Sequence, residues 1–406
     1  MKNLKSVKNV PPENYELTDN PFPPAAAGLA IEDKNKLYMP ESWKNRIDEY
    51  ISLLGSGSGP KAFPIIGKYG SGKTVLLKYL KGYFQEKGIY TFLFDNPGLQ
   101  FYDLANFLMR EIGRYEFAKS LWELAKPYIK KPAPRTLIPM SFLEWLSTMS
   151  KKAERESKAT ELQQIIKNEL DITTDEEIAY RLSLIVVEAG IKPYFEYRDF
   201  VAGARGSLVA EKEEAPYFNA LTKTLAQIYN VKGIAFLIDE FEEVALYIRM
   251  PSKRKAHEYL ATLRRLINLS KKENLWFALA MTPEAANSTQ KFDPALWDRL
   301  TAKGKYKFEL NPLEPEEATE LLIWWLDGAR PEESDKKGTL FPFPETITDY
   351  LKEPELRYPR PLVRIGFSIL SEAINRKEEC PFSEDFTREI IENIYPSQKP
   401  ERENVE

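Results

Sequence analysis

The residues best suited to chemistry form the segment GKYGSGKT, from Gly67 to Thr74. It matches the pattern G-x-x-x-x-G-K-[ST], in which glycines let the backbone wrap closely around phosphate oxygens. Backbone N–H groups of the loop and of the helix that follows it then face the anion. We expect Lys73 to reach the terminal phosphates and the Thr74 hydroxyl to bind Mg²⁺. The predicted phosphate-binding residues are Gly67, Lys68, Tyr69, Gly70, Ser71, Gly72, Lys73, Thr74 and Val75.

The segments on either side of this loop have the order that phosphate binding requires. The apolar run AFPIIG precedes the loop and predicts a short buried strand, and SGKTVLLKYLKGYFQEKG predicts a helix. A second apolar run, IYTFLFDN, completes a unit of strand, loop, helix and strand. A glycine-rich turn that merely caps a helix is the alternative, and this order of elements disfavours it.

A second candidate segment is GIAFLIDE, from Gly233 to Glu240. A buried strand that ends in two acids places carboxylates at the carboxyl edge of a parallel sheet, where open α/β sheets bind ligands. There Asp239 would hold Mg²⁺ and Glu240 would polarise an attacking water. A strand followed by an acidic helix cap is the alternative, because the chain continues as DEFEE. The phosphate-binding pattern elsewhere in the chain weighs against that alternative.

Together the two segments resemble the Walker A and Walker B motifs of the AAA+ superfamily of P-loop ATPases. The resemblance covers most of the chain from Trp43 to about Ile394, and it implies ATP, Mg²⁺ and ATP hydrolysis. The PLEPEEA segment and the helices after it resemble the origin-recognition and transposition-regulator ATPases. The stretch KGIAFLIDEFEEV…LATLRRLIN resembles ATPases of phage-defence systems, such as the ATP-binding component of BREX.

The same resemblance assigns roles to residues outside the two motifs. Thr282 takes the sensor-1 position, where a hydroxyl orients water or the terminal phosphate; a helix cap is the alternative. Arg299 takes the position of an arginine finger, with a solvent-facing helix arginine as the alternative. Arg360 takes the sensor-2 position, and Arg364 one turn later is the fallback. Asn96 takes the polar switch position that restrains the catalytic glutamate, with a cap or turn as the alternative.

Composition narrows the range of partners. A formal net charge of −4 gives no global attraction to nucleic acid, so DNA contact would need a local basic patch. Runs such as KPYIKKPAPR are more typical of solvated loops. The single cysteine, Cys380, fits a reducing, cytoplasmic setting, and the single histidine, His257, gives no support for metal chemistry beyond Mg²⁺. No apolar run approaches the roughly 18 residues of a membrane span, so we expect no membrane partner.

The order of predicted elements indicates an α/β fold, a P-loop NTPase with a three-layer parallel sheet. Residues 1–30 are rich in proline and small residues and predict an extended or disordered arm. Residues 31–310 would form the nucleotide-binding domain. Residues 130–215 would be a helical insertion, because a simple crossover to GIAFLIDE needs far fewer residues. Residues 311–406 contain only predicted helices and would form a small all-α lid domain.

These inferences predict an ATPase that couples Mg-ATP binding and hydrolysis to the remodelling or loading of a partner complex. The resemblance implies that this remodelling or loading is associated with DNA, in replication, mobile elements or defence, although the sequence leaves DNA binding open. An arginine finger implies a homo-oligomer, and a protein partner is also expected. The alternative is a regulatory switch that holds ATP or ADP with little turnover and acts on a protein. Intact Lys73, Thr74, Asp239 and Glu240 argue against a scaffold with a decayed site.

Overall fold

The computed structural model describes residues 13–24, 37–55, 61–129, 141–201, 214–248, 250–270 and 274–396. Within them the chain has an α/β architecture with one five-stranded sheet. Parts of the predicted arm (1–12 and 25–30), of the predicted insertion (130–140 and 202–213) and of the predicted lid (397–406) lie outside the described residues.

The sheet has the strand order β2-β3-β4-β1-β5, and the pairs β2–β3, β3–β4 and β4–β1 are parallel. Strands β1, β3 and β4 are buried at every residue, as expected of parallel strands that are covered on both faces. Strands β1, β2 and β3 lie in the apolar runs that the sequence marked as strands. The strands are β1 Ala62–Gly67, β2 Ile89–Phe94, β3 Gly233–Ile238, β4 Leu275–Met281 and β5 Phe308–Leu310.

Helices occupy most of the remaining described residues. In chain order they are α1 Glu41–Gly55, α2 Lys73–Glu86, α3 Phe101–Ile112, α4 Arg114–Ala125, α5 Phe142–Ser147, α6 Lys152–Asn168, α7 Glu176–Val187, α8 Tyr197–Val201, α9 Glu214–Ile228, α10 Glu242–Ala245, α11 Lys253–Ser270, α12 Pro283–Phe292, α13 Pro294–Leu300, α14 Pro315–Gly328, α15 Ile347–Tyr350, α16 Pro359–Arg376 and α17 Glu384–Ile394. None of the helices described here is long and apolar enough to cross a membrane.

The chain divides into two compact units. Unit 1 contains Met1–Glu49, Gly67–Leu76 and Glu309–Glu406, and unit 2 contains Tyr50–Ile66 and Leu77–Phe308. The glycine-rich loop therefore belongs to the same unit as the C-terminal helices. Most of the sheet and the acidic segment after β3 belong to unit 2. These boundaries differ from a simple split of the chain at residue 310.

In unit 1, residues 13–24 pack against the C-terminal helices. The Tyr15 hydroxyl lies 2.7 Å from the main-chain oxygen of Glu378 and 3.0 Å from that of Ala373, so the two carbonyls share its one proton. Phe22 is buried against Gly366 of α16, where a Cβ atom would lie 2.6 Å from the phenyl ring. This part of the predicted arm therefore contributes to the hydrophobic core of unit 1.

In unit 2, the long stretch between β2 and β3 contains α3 to α9. Its helices share one core with the sheet, in which Trp122 of α4 lies 5.5 Å from Phe142 and 5.9 Å from Trp145 of α5, ring centroid to ring centroid. At the start of β3, a Cβ on Gly233 would lie 2.3 Å from the Asn274 oxygen. Only glycine allows β3 to approach its neighbour this closely.

Candidate functional site

The glycine-rich loop links the last residue of β1, Gly67, to the first residue of α2, Lys73. Gly70 and Gly72 have φ angles of +79° and +99°, in the region that side chains rarely adopt. A Cβ on Gly67 would lie 2.2 Å from Ser71 Oγ, so the first glycine is required by space. The glycines of the motif are therefore explained by the backbone path, a tight loop that leads directly into a helix.

Lys73 and Ser71 are the polar side chains enclosed by this loop. The Lys73 ammonium is largely buried and donates to the main-chain oxygens of Gly67 (2.9 Å) and Lys68 (3.3 Å). Ser71 is 1% exposed, and its Oγ has no hydrogen-bond partner within the described residues. A buried cation and a buried hydroxyl beside N–H groups at a helix start fit a polyanion such as a phosphate chain.

Other parts of unit 1 pack directly on the loop. The Arg360 N–H donates to the Gly70 oxygen at 3.1 Å, and a Cβ on Gly70 would lie 2.6 Å from Arg360 Cβ. On the other glycine, a Cβ at Gly72 would lie 3.0 Å from the indole of Trp43 in α1. The loop conformation is therefore fixed by α1 and by the start of α16.

The structure distinguishes the two arginines proposed for the sensor-2 position. Arg360, the second residue of α16, contacts the glycine-rich loop. The guanidinium of Arg364, one turn later, lies 5.7 Å from the centre of the Tyr395 ring. Burial raises the pKa of Tyr395, and the positive charge of Arg364 opposes that shift. Arg360 is therefore the candidate that the structure brings to the loop.

In unit 2, Asp239 and Glu240 follow directly after β3. Asp239 is largely buried, and its Oδ1 accepts a hydrogen bond from the Glu240 N–H at 2.9 Å. Its own N–H donates to the Phe94 oxygen of β2 at 2.9 Å, which extends the strand pairing by one residue. Glu240 is exposed and has a φ angle of +49°. A left-handed backbone costs a residue with a side chain about 1–2 kcal/mol, so the surrounding packing imposes this conformation.

The parallel register brings three predicted residues to one edge of the sheet within unit 2. Phe94 pairs with Ile238, and Ile238 pairs with Leu279, so β2, β3 and β4 run side by side. Asn96, Asp239 and Thr282 each follow the carboxyl end of one of these strands. This is the edge at which open α/β sheets bind ligands.

Two of these residues have local structural roles. Thr282 is the N-cap of α12 and accepts a hydrogen bond from the Ala285 N–H at 3.3 Å. Asn96 Oδ1 accepts a hydrogen bond from the Gly98 N–H at 3.0 Å in a tight turn. Both contacts match the structural alternatives that the sequence leaves open. A capping threonine oxygen still leaves the hydroxyl proton for donation, so the cap and a catalytic role are compatible.

Arg299 lies in α13 and is held within the chain. Its Nε donates to Asn268 Oδ1 of α11 at 2.6 Å, and one Nη donates to the Ala295 oxygen. Its side chain is partly buried. In this arrangement Arg299 braces two helices of unit 2, and a role in a neighbouring protomer would require these bonds to break.

Some residues that shape the site carry no signal in the sequence. Tyr259 of α11 is fully buried and donates to the Pro97 oxygen at 3.0 Å, which anchors the turn after β2. Burial, followed by the negative charge of Asp103, raises the Tyr259 pKa well above its usual range. Trp43 likewise defines one wall of the glycine-rich loop. Neither residue belongs to a local pattern, because their contacts are remote along the chain.

No group of three or more histidine, cysteine, aspartate or glutamate side chains that could hold a metal ion occurs in the described part of the chain. Magnesium is commonly held by one or two carboxylates together with phosphate oxygens and water, and does not need such a cluster. Asp239 and the hydroxyl of Thr74 are oxygen donors of the kind that Mg²⁺ prefers. Each of these oxygens, taken by itself, is therefore chemically suited to magnesium that arrives with a phosphate ligand.

Comparison with protein-family models gives no match for this chain, and comparison with curated proteins gives none either. The α/β architecture with a parallel five-stranded sheet is compatible with a P-loop NTPase. The narrower resemblance to AAA+ ATPases stays a prediction that rests on the motifs.

Proposed function

We propose that this chain is an ATPase of the AAA+ type, which couples binding and hydrolysis of Mg-ATP to remodelling or loading of a partner complex. The observation that carries the proposal is the glycine-rich loop, with its buried Lys73 ammonium and its two left-handed glycines between a buried strand and a helix. A loop of this form has backbone donors and a cation suited to a nucleotide's phosphate chain.

Different residues of the chain would have different roles in the proposed binding and hydrolysis of ATP. The loop N–H groups and Lys73 would bind the phosphates, and Thr74 and Asp239 would hold magnesium. Magnesium, when bound, supplies positive charge that offsets the charge developing on the transferred phosphoryl group. Glu240 would accept a proton from the attacking water. That both sets of residues serve one nucleotide is part of the proposal, and the variants below test it.

Contacts within unit 1 suggest how the loop would signal. Arg360 at the start of α16 is bonded to Gly70 through the main chain, so a change in loop conformation acts directly on α16. We propose that α14 to α17 are a lid that responds to the bound nucleotide. This would be a two-state element biased by one ligand.

A second candidate function is a switch with little turnover. The hydrogen bonds of Arg299 to Asn268 and Ala295 favour it, because they occupy the proposed finger within its own chain. In that case the protein would hold nucleotide, and partner binding would depend on which nucleotide is bound.

The test compares ATP binding and steady-state ATP hydrolysis for wild type, Lys73→Ala and Glu240→Gln, with the exposed Glu284→Gln of α12 as the matched control. Lys73→Ala should lose most ATP affinity. Glu240→Gln should keep ATP binding and lose about 10²-fold or more in rate, the usual contribution of a positioned base. Glu284→Gln should match the wild type. A wild type that binds no ATP, or a Glu240→Gln that hydrolyses at the wild-type rate, would refute the ATPase proposal.

Two further experiments distinguish the ATPase from the switch and a protein partner from DNA. The rate per protomer is followed on dilution, and Arg299→Ala is compared with the wild type. A rate that falls on dilution and depends on Arg299 supports a homo-oligomer with a finger in trans, whereas a constant rate excludes the finger. Stimulation by duplex or single-stranded DNA at fixed low salt would make DNA the partner. ATP binding with no turnover under any of these conditions would favour the switch.

A further inference from the structure

A row of lysines lies along the amino edge of the sheet in unit 2, at the opposite end of the strands from Asp239. The chain has a lysine within three residues of the start of four strands. These are Lys87 before β2, Lys232 before β3, Lys61 before β1 and Lys305 before β5, and we call them the lysine row. The parallel register of β2, β3, β4 and β1 brings the starts of those strands to one edge.

Direct contacts join the members of the row that precede β2 and β3. The Lys232 N–H donates to the Gly88 oxygen at 2.8 Å, and Gly88 directly follows Lys87. A Cβ on Gly88 would lie 3.8 Å from Cδ of Lys232, so the lysine side chain extends over this glycine. On the other side of Lys232, a Cβ on Gly233 would lie 2.3 Å from the indole of Trp276 in β4. The start of β3 is therefore in contact with the starts of both of its neighbours.

The remaining two lysines lie beside buried aromatic rings. The Lys61 ammonium lies 4.4 Å from the centre of the Trp276 indole, and that of Lys305 lies 5.1 Å from the centre of the Tyr306 ring. Tyr306 packs on Tyr50 with 5.6 Å between ring centroids, and Tyr50 packs on the phenylalanine of β1 with 6.0 Å between centroids. These contacts place Lys305 on the β1 side of the row, which therefore extends from β2 to β5.

The charges of the row are not neutralised within the described part of the chain, where none of its four lysines forms an ion pair with a carboxylate. Burial lowers the pKa of Lys61, and no carboxylate opposes that shift. A half-buried ammonium is costly unless an anion provides the opposite charge. Exposed carboxylates flank the row towards its β2 and β5 ends, namely Glu86, Glu169, Asp171 and Asp298. The centre of the row, at Lys232 and Lys61, is thus its most positive part.

The composition of this edge fits a phosphate backbone better than a protein. Protein-binding sites have exposed aromatic side chains at their centre. Here Trp276 and Tyr306 are only 6% and 7% exposed, and none of the large apolar side chains exposed in the described ranges belongs to the row. The edge therefore offers a partner positive charge, repeated from strand to strand at about 5 Å or a multiple of it. A nucleic acid has a negative charge at every nucleotide and needs no apolar contact.

We propose that the lysine row binds the phosphate backbone of a nucleic acid without reading its base sequence. The four ammonium groups each displace counterions from the backbone. Base stacking does not contribute, because the aromatic rings beside Lys61 and Lys305 are buried. The inference gives the proposed ATPase a partner and a surface that binds it. It does not require bound nucleotide, since no residue of the glycine-rich loop or of the acidic segment belongs to the row.

The test measures binding of a fluorescein-labelled DNA duplex of about 20 base pairs to the full chain by fluorescence anisotropy, without ATP, from about 50 to 200 mM KCl. The variants are Lys87→Gln, Lys232→Gln and Lys305→Gln, singly and together, because these three lysines are exposed. Lys253→Gln is the matched control, since Lys253 at the start of α11 is exposed and also lacks an ion pair among the described residues. Lys73→Ala tests independence from the glycine-rich loop, and poly-glutamate of similar total charge is the alternative ligand.

Four phosphate contacts predict a slope of about −3.6 for the logarithm of the binding constant against the logarithm of the salt concentration. Binding should therefore weaken about 10²-fold between 50 and 200 mM KCl. Each single variant should make the slope shallower by about one, equally for duplexes of different sequence, and the triple variant should leave a slope of about −1. Lys253→Gln and Lys73→Ala should bind as the wild type does.

Several results would overturn the proposal. They are no binding up to about 100 μM protein at about 50 mM KCl, wild-type slopes in all row variants, or an equal loss in Lys253→Gln. Tighter binding of poly-glutamate than of the duplex would overturn it in favour of an acidic protein. Loss of DNA binding in Lys73→Ala would overturn it in favour of DNA at the glycine-rich loop. Because these measurements contain no ATP, they are decided separately from the ATPase proposal.

Discussion

Replacing Gly366 by alanine should change the stability of unit 1 with a sign that depends on Phe22. Gly366 lies inside α16, where alanine in place of glycine normally stabilises a helix by about 1 kcal/mol. Here, however, the new Cβ would lie 2.6 Å from Cε1 and Cζ of Phe22. The Phe22 ring is 1% exposed and lies 6.1 Å from each of the Trp325 and Phe343 ring centroids, so it has little room to move.

The magnitudes follow from these opposing effects. Overpacking a filled core costs about 1–3 kcal/mol, and the better helix former offsets about 1 kcal/mol of that cost. Gly366→Ala should therefore lower the free energy of unfolding by about 1 kcal/mol. Phe22→Ala alone should lower it by about 3–5 kcal/mol. In the Phe22→Ala background the clash is absent, and Gly366→Ala should then raise the free energy of unfolding by about 1 kcal/mol. The coupling between the two positions is therefore about 2 kcal/mol, well within reach of a double-mutant cycle.

Urea unfolding of the full chain, followed by tryptophan fluorescence, measures the four variants of this cycle. Two transitions are to be fitted if the two units unfold separately. Gly328→Ala is the control, since Gly328 ends α14 and its added Cβ would meet nothing within 4 Å. It should not destabilise the chain. If Gly366→Ala stabilises the wild type as much as it stabilises Phe22→Ala, residues 13–24 do not pack on α16, and the reasoning fails.

Two further predictions concern the glycine-rich loop and Tyr15. Gly70→Ala and Gly338→Ala should both lose about 1–2 kcal/mol of stability, because the φ angles are +79° and +75°. Gly70→Ala should lose about 1–3 kcal/mol more than Gly338→Ala, because the new Cβ at Gly70 meets Arg360 whereas the new Cβ at Gly338 meets nothing within 4 Å. Equal losses of the free energy of unfolding in urea would contradict the contact with Arg360. Burial, with the charges of Cys380 and Glu378, raises the Tyr15 pKa from 10.0 to about 12. Protonated Tyr15 thus stabilises the fold fully below pH 10 and progressively less as pH rises from 10 to 12, because the unfolded phenol ionises first. Tyr15→Phe should be about 1–2 kcal/mol less stable at neutral pH, yet lose less stability between pH 10 and pH 12. If the free energies of unfolding of the wild type and of Tyr15→Phe fall in parallel over that range, the assignment is refuted.

The strands and the glycine-rich loop were predictable because their causes are local. The runs AFPIIG and GIAFLIDE supply β1 and β3, and β3 and β4 are buried throughout, as apolar runs require in a parallel sheet. The glycines of the loop are explained by positive φ angles at Gly70 and Gly72 that the motif anticipates. The strand order β2-β3-β4-β1-β5 and the register could not be predicted in this way, because they depend on which apolar surfaces meet in three dimensions.

The sequence was least informative where a contact joins residues far apart in the chain. Residues 13–24 contain three prolines and show no pattern of a buried segment, yet Tyr15 and Phe22 are buried against α16. That packing depends on the space above Gly366, a single position more than 300 residues away whose significance is invisible without its partner. The choice between Arg360 and Arg364 is of the same kind, since both lie on α16 and only contacts separate them.

The glycine-rich loop and the acidic segment after β3 are each held by packing within their own unit, and for the loop this has consequences for regulation. The conformation of the glycine-rich loop depends on Trp43 and Arg360 in unit 1, whereas Asp239 and Glu240 are held by strand pairing and a left-handed backbone in unit 2. A ligand or partner that displaces α16 would therefore change the loop, and with it the affinity of the loop for phosphate. Phosphate binding and the position of α16 would then influence each other, which is the reciprocal link that a ligand-controlled lid needs.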